Sequence, residues 1–152
     1  MLSDADKTTE RLTAEAYLVI AAGLETTATT LMAITYHILA NPPILRKLKA
    51  ELAAAIPDAS LPPTFKQVDT LPYLTGVIQE GIRMHPGATF RQTRIAPNEN
   101  LAYTDTATAK GKTWNIPAGT PVSMTPTLIQ YNPQYFPDPN TFRPERWIEN
   151  PR

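Results

Sequence analysis

Apolar side chains recur at helical spacing from Thr13 to Ala40, a run that would reach about 42 Å as one helix. Thr13 suits the N-cap, and Glu15 falls in the first turn, where the helix dipole favours a carboxylate. Asn41-Pro42-Pro43 closes the run, since neither proline can donate to the preceding turn. A second amphipathic helix is expected from Ile44 to Ala55, with Leu45, Leu48 and Leu52 on one face. Ile56 to Asp69 carries three prolines and reads as coil. A third helix begins at Pro72, a residue suited to the first helical position, and Pro86 stops it. In it Leu74, Val77, Ile78, Gly81 and Ile82 mark the apolar face, with Glu80 and Arg83 on the polar side opposite Leu74 and Val77. Beyond Pro86 the period changes. Short strands are expected around Thr89 to Ile95, Leu101 to Tyr103, Trp114 to Ile116 and Val122 to Thr125. Ile116-Pro117-Ala118-Gly119 reads as a type I turn and Thr104 to Lys112 as a hairpin tip. Half of the 16 prolines lie between Pro117 and Pro151, which predicts turn-rich coil over the last quarter. The fold class is mainly α with a small β component.

Composition changes this picture little. With 42% hydrophobic and 18% charged residues, the 152-residue chain is neither disordered nor membrane-like. Fourteen basic residues balance fourteen acidic ones, so nothing argues for a nucleic-acid partner. Residues 1–12 are polar and mixed in charge, unlike a signal peptide. Thr13 to Ala40 is long enough to span a bilayer, but Glu25 and four threonines cluster at its middle, where hydrocarbon penalises a carboxylate most. A helix buried inside a larger protein is the better reading.

Three features carry candidate chemistry. On the long helix Leu18, Ala22, Thr26, Thr29 and Ala33 form a stripe of mostly small side chains, open to a flat body. Gly23 weakens the helix there, and Thr26 or Thr27 can bond back to a carbonyl, so a bulge or widened turn is expected near Ala22 to Thr26. An ordinary buried helix with self-satisfied threonines is the plain alternative. Glu80 and Arg83 stand at i and i+3, a spacing that as a solvated pair contributes only about 0.2–0.5 kcal/mol. His37 and His85 have no ligand-spaced partner and read as structural. The chain has no cysteine, and no metal site is evident.

The order of these pieces is what raises them. Ala22-Gly23-Leu24-Glu25-Thr26-Thr27 precedes Glu80-Gly81-Ile82-Arg83, then Arg91 and Arg94, then Trp114 to Thr120. Tyr135-Phe136-Pro137-Asp138-Pro139 and Phe142-Arg143-Pro144-Glu145-Arg146-Trp147 complete it. From about Arg11 to Arg152 this succession resembles the cytochrome P-450 superfamily, the haem-thiolate monooxygenases, in wording closest to fungal enzymes of secondary metabolism.

The resemblance implies part of the cytochrome P-450 fold. It implies a groove at Ala22 and Gly23 beside a haem iron, with Thr26 assisting proton delivery to bound oxygen and Glu25 relaying protons from solvent. Arg94, with Arg91 as its neighbouring alternative, would bind a haem propionate. Glu80, Arg83 and Arg146 would form a buried structural triad that pins the proline-rich segment. The implied enzyme inserts one atom of O2 into an apolar small molecule, using NADPH through a separate reductase, and is anchored in the endoplasmic reticulum membrane. The chain reads as one incomplete domain over 1–152, a central-to-C-terminal fragment ending before the haem-ligand cysteine and inactive alone. A non-catalytic remnant acting as an interaction module, or an unrelated helical scaffold, are the alternatives.

Overall fold

The computed structural model describes residues 6–58, 60–106 and 111–149, and the chain is mainly α with small β sheets. It divides into two compact units, Met1–Ala88 with Gln130–Arg152, and Thr89–Ile129.

The first unit opens with α1, Thr9–Ala40, an unbroken helix of 32 residues. It begins a turn earlier than the sequence predicts. Thr8, not Thr13, is the N-cap: its hydroxyl accepts from the Arg11 N–H at 3.4 Å. Helix α2 (Pro42–Ala55) likewise starts early, because prolines fit the first two helical positions, whose N–H groups would be orphans anyway. The expected coil from Ile56 to Asp69 contains a one-turn helix, α3 (Phe65–Val68), nucleated by a Thr64–Gln67 capping box. The Thr64 N–H donates to Gln67 Oε1 at 2.8 Å.

Helix α4, Pro72–Met84, is the centre of this unit. Its N-cap, Leu71, cannot cap, so Glu51 of α2 does the work: its two carboxylate oxygens accept from the Tyr73 and Leu74 N–H groups, each at 2.8 Å. Ile34, Ile44, Leu48, Tyr73, Val77 and Phe142 form the buried core around α4. Two glycines permit the closest approaches. A Cβ on Gly81 would lie 2.1 Å from Ile34 Cγ1 of α1, and one on Gly76 would lie 2.7 Å from the Pro144 carbonyl oxygen.

The buried face of α4 keeps Val77 and Gly81 of the expected one but is turned away from Ile78 and Ile82. Tyr73, Gly76, Val77, Glu80 and Arg83 point inward, whereas Ile78 and Ile82 are 42% and 44% exposed. Glu80 follows Val77 by three positions, about 60° around the helix, and so shares its face instead of opposing it. After α5 (Pro126–Gln130) the proline-rich segment runs to α6, Arg146–Glu149, which packs on α4.

The second unit holds two antiparallel pairs. Strand β1 (Gln92–Ile95) pairs with β4 (Pro121–Met124), Arg94 opposite Val122. Strand β2 (Leu101–Asp105) pairs with β3 (Lys112–Ile116), Tyr103 opposite Trp114 with their rings stacked at 5.8 Å. The β2–β3 ladder reaches Asp105 and Lys112, further into the expected Thr104 to Lys112 tip than predicted; residues 107–110 lie outside the described residues. The turn near Pro117 also closes one residue later. Thr120 N–H bonds to the Pro117 carbonyl at 3.2 Å, with Gly119 at φ 79° in the third position, the type II pattern.

A buried carboxylate hub and the candidate functional site

Glu80 has 0% exposure, and five N–H groups converge on it. Arg83 grips it as a fork, Nε to Oε2 at 2.8 Å and Nη2 to Oε1 at 2.9 Å. Arg146 Nε donates to Oε1 at 2.9 Å across 66 residues of sequence. The Arg143 backbone N–H reaches Oε1 at 3.0 Å, and the Trp147 indole Nε1–H reaches Oε2 at 2.9 Å.

Each guanidinium also donates to backbone carbonyls. Arg83 Nη1 donates to Gln130 O at 2.8 Å, and Arg146 donates to the carbonyls of Pro137, Thr141 and Asp138 at 3.0, 3.3 and 3.4 Å. Arg83 also lies over the rings of Phe136 and Tyr131, at 5.3 and 5.7 Å. One carboxylate on α4 thereby organises the backbone from Gln130 to Trp147. Burial alone would raise the Glu80 pKa. The hydrogen bonds from Arg83, the Arg143 amide and Trp147 outweigh it and hold the carboxyl below its ordinary range.

The structure brings Glu80, Arg83 and Arg146 together as a buried cluster, 0%, 2% and 8% exposed, and not as a solvated pair. Sequence reasoning assigned nothing to the Arg143 amide, Trp147, Tyr131 or Phe136. A signal existed for Trp147: an indole N–H one residue past a buried arginine needs an acceptor.

On α1 the Thr26 hydroxyl donates to the Ala22 carbonyl at 2.9 Å, and Thr30 and Thr35 make the same one-turn back-bond. The expected bulge is absent, and the helix stays α through Ala22 to Thr27. A carbonyl carries two lone pairs, so the hydroxyl adds to the backbone bond without displacing it. Ala22, Gly23, Glu25 and Thr26 all lie on exposed surface of the helix, and nothing approaches within 4 Å of where a Gly23 Cβ would stand. Ile34 is the one buried residue of α1 among those described, and the helix has the length and hydropathy to cross a membrane. A cleft of about 290 Å³ opens beside Arg146 and Trp147, not beside Thr26.

In the second unit Arg94 is exposed and bonds only locally, to Thr93 O at 3.0 Å and to Gln92 Oε1 at 3.5 Å. Its face of the β1–β4 pair carries Gln92, Val122 and Met124. Arg91 is exposed one residue ahead of the strand. The two histidines meet each other, a contact that the sequence reading did not foresee. His37 and His85, 48 positions apart, meet Nε2 to Nε2 at 3.0 Å. Among the described residues no group of three or more His, Cys, Asp or Glu is placed to hold a metal ion.

The family profile described as Cytochrome P450 matches residues 2–152. Cytochrome P450 monooxygenase tpcC of Cochliobolus heterostrophus is 50% identical over 151 residues, covering 99% of this chain and 28% of that protein. Cytochrome P450 monooxygenase astB of Talaromyces wortmannii is 47% identical over 148 residues, covering 96% of this chain and 29% of that protein. The chain thus spans less than a third of the length of these curated relatives.

Proposed function

Because the chain belongs to the cytochrome P450 family, we propose that residues 1–152 form part of one domain of a haem-dependent monooxygenase. Its reaction inserts one atom of O2 into an apolar organic substrate and releases the other as water. NADPH supplies two electrons through a separate reductase. The observation that supports this reading best is the Glu80 hub, whose work is positional: it holds the proline-rich segment on α4.

Each unit offers, taken by itself, residues of a kind that a haem would use. The open α1 surface at Ala22 and Gly23 leaves room for a flat body, and exposed Arg94, or Arg91, offers a cation for a propionate. No thiolate ligand lies within these 152 residues, which hold no cysteine. When bound, a thiolate-ligated haem supplies oxygen activation, its ligand's electron donation favouring O–O cleavage.

The chain's own part in that chemistry is proton handling. Thr26 Oγ1 holds a proton on the exposed surface of α1, at present donated to the Ala22 carbonyl. Rotation about χ1 frees that proton without breaking the backbone ladder. Glu25 points about 100° away around the helix, toward solvent, and can resupply the proton. Glu80, Arg83 and Arg146 take no part in proton transfer, since every Glu80 oxygen is already saturated by donors.

Thr26→Ala in the complete gene product tests this. Haem and substrate binding should persist while more of the NADPH consumed ends as peroxide or water. Unchanged coupling of NADPH use to product would remove Thr26 from the role. A complete gene product without a thiolate-type Soret band in its ferrous–carbon monoxide spectrum would overturn the monooxygenase reading itself.

A further inference from the structure

We propose that His37 and His85 form an acid-released latch that ties the long helix α1 to the C-terminal end of α4 and thereby sets the gap between Thr26 and Gly87. The inference stands on the side chains of the first unit and does not depend on the haem reading.

The geometry sets the proton count. Two imidazole nitrogens 3.0 Å apart need one proton between them. The contact therefore exists when both rings are neutral in opposite tautomers, or when one ring is charged and donates to the other. With both rings charged, two Nε2–H groups face each other, the hydrogen bond is lost, and like charges sit at contact distance.

The His37 ring cannot easily turn away from that conflict. His37 stacks flat on Phe142, with centroids 4.5 Å apart and planes 8° from parallel, and Tyr36 meets its edge at 5.4 Å. The Asn41 amide holds the His37 carbonyl at 2.7 Å. His85 is the C-cap of α4, its N–H bonded to the Gly81 carbonyl at 2.8 Å.

The charged groups around the pair are few. From α4 Glu80 acts on His37 and favours its proton, but Arg83 and Arg146 share that carboxylate. Phe142, stacked on the His37 ring, brings no charge. Burial first, then the His85 charge, lower the His37 pKa from its ordinary 6.5, and Glu80 only partly offsets them. A depressed histidine pKa means that the unfolded chain binds more protons as pH falls. The latch's contribution to stability is therefore complete above 6.5 and is lost as pH drops through the His37 value.

Release has an address. Gly87 follows His85 by two residues, and a Cβ on it would lie 3.1 Å from Thr26 Cβ. When the rings part, this approach is the next one to loosen.

The chain has two histidines, so its imidazole Cε1–H spectrum carries two lines, assignable with His37→Gln and His85→Gln. A proton NMR titration of the 152-residue chain should show His37 titrating below 6.5 and shifting upward in His85→Gln, where burial remains but the facing charge is gone. The Gly87 amide and Thr26 methyl resonances should move with the same low midpoint in the unsubstituted chain. Thermal unfolding at about pH 7.5 and about 5.5 supplies a second readout. The unsubstituted chain should lose more on acidification than the His37→Gln/His85→Gln double variant. Two lines titrating alike, with His37 indifferent to His85→Gln, or Gly87 and Thr26 indifferent to the transition, would overturn the latch.

Discussion

Replacing Glu80 by glutamine keeps the side chain's shape and removes its charge, which makes it the sharpest perturbation of the hub. The amide offers one oxygen and one NH2. Turned its better way, the oxygen keeps the three donors at the Oε1 position: Arg83 Nη2, Arg146 Nε and the Arg143 amide. The NH2 then faces Arg83 Nε and Trp147 Nε1, two donors with nowhere else to go. Leaving a buried donor unpaired costs about 1–3 kcal/mol, and stripping the partner from a buried ion pair about 3–5 kcal/mol. These describe the same loss and do not add, so about 3–5 kcal/mol is the expectation. Domains are stable by about 5–15 kcal/mol, and at this size each kcal/mol moves Tm by about 2–4 °C. Urea unfolding followed by circular dichroism should therefore show a large drop in midpoint, and thermal scans a fall of roughly 6–20 °C. Arg143→Ala is the control. It contributes its backbone N–H to Glu80, while its half-exposed side chain makes only a surface pair with Glu149 at 3.3 Å. That variant should stay within about 1 kcal/mol. A Glu80→Gln chain within about 0.5 kcal/mol of the original would refute the reasoning.

Three further outcomes follow from the geometry. Gly81→Ala should lose about 1–3 kcal/mol in the same unfolding assay, because the new methyl overlaps the Ile34 side chain, which is buried in the core and must shift there. Glu51→Ala should lose about 1–2 kcal/mol and raise amide exchange at Tyr73 and Leu74, since it strips the cap from α4. The Glu80 pKa is depressed on folding, so its stabilisation is complete above the ordinary value of 4.5 and is lost as pH falls through the folded one. Acid unfolding should accordingly shift to higher pH in Arg146→Lys, which keeps the charge but cannot reproduce the guanidinium's four contacts.

Much of the fold was legible because its punctuation is local. Pro42, Pro72 and Pro86 bound helices, and the four strands fall close to the four short extended pieces expected past Pro86. The α3 turn was legible as well, in the Thr64–Gln67 capping box, but three nearby prolines outweighed it. The buried face of α4 was legible from periodicity only in part, at Val77 and Gly81. Hydrophobic spacing favours Ile78 and Ile82 as core, while the real core face carries Glu80 and Arg83, which are buried only because Arg146 and Trp147 arrive from far along the chain. Resemblance supplied that grouping; local pattern could not. The His37–His85 contact was invisible for the same reason, since no spacing rule links positions 48 apart. The widened turn in α1 failed because a threonine back-bond is additive to an α-helical carbonyl, not a substitute for its backbone partner.

Hydrogen exchange at the Arg143 amide and the Trp147 indole tests the central claim most directly, that one buried carboxylate on α4 holds the proline-rich segment in place. Both N–H groups should be strongly protected in the unsubstituted chain and should lose protection together in Glu80→Gln, while the N–H groups of Tyr73 and Leu74, held by Glu51, change far less. Exchange at open-chain rates in the unsubstituted chain, or protection that survives the substitution, would contradict it.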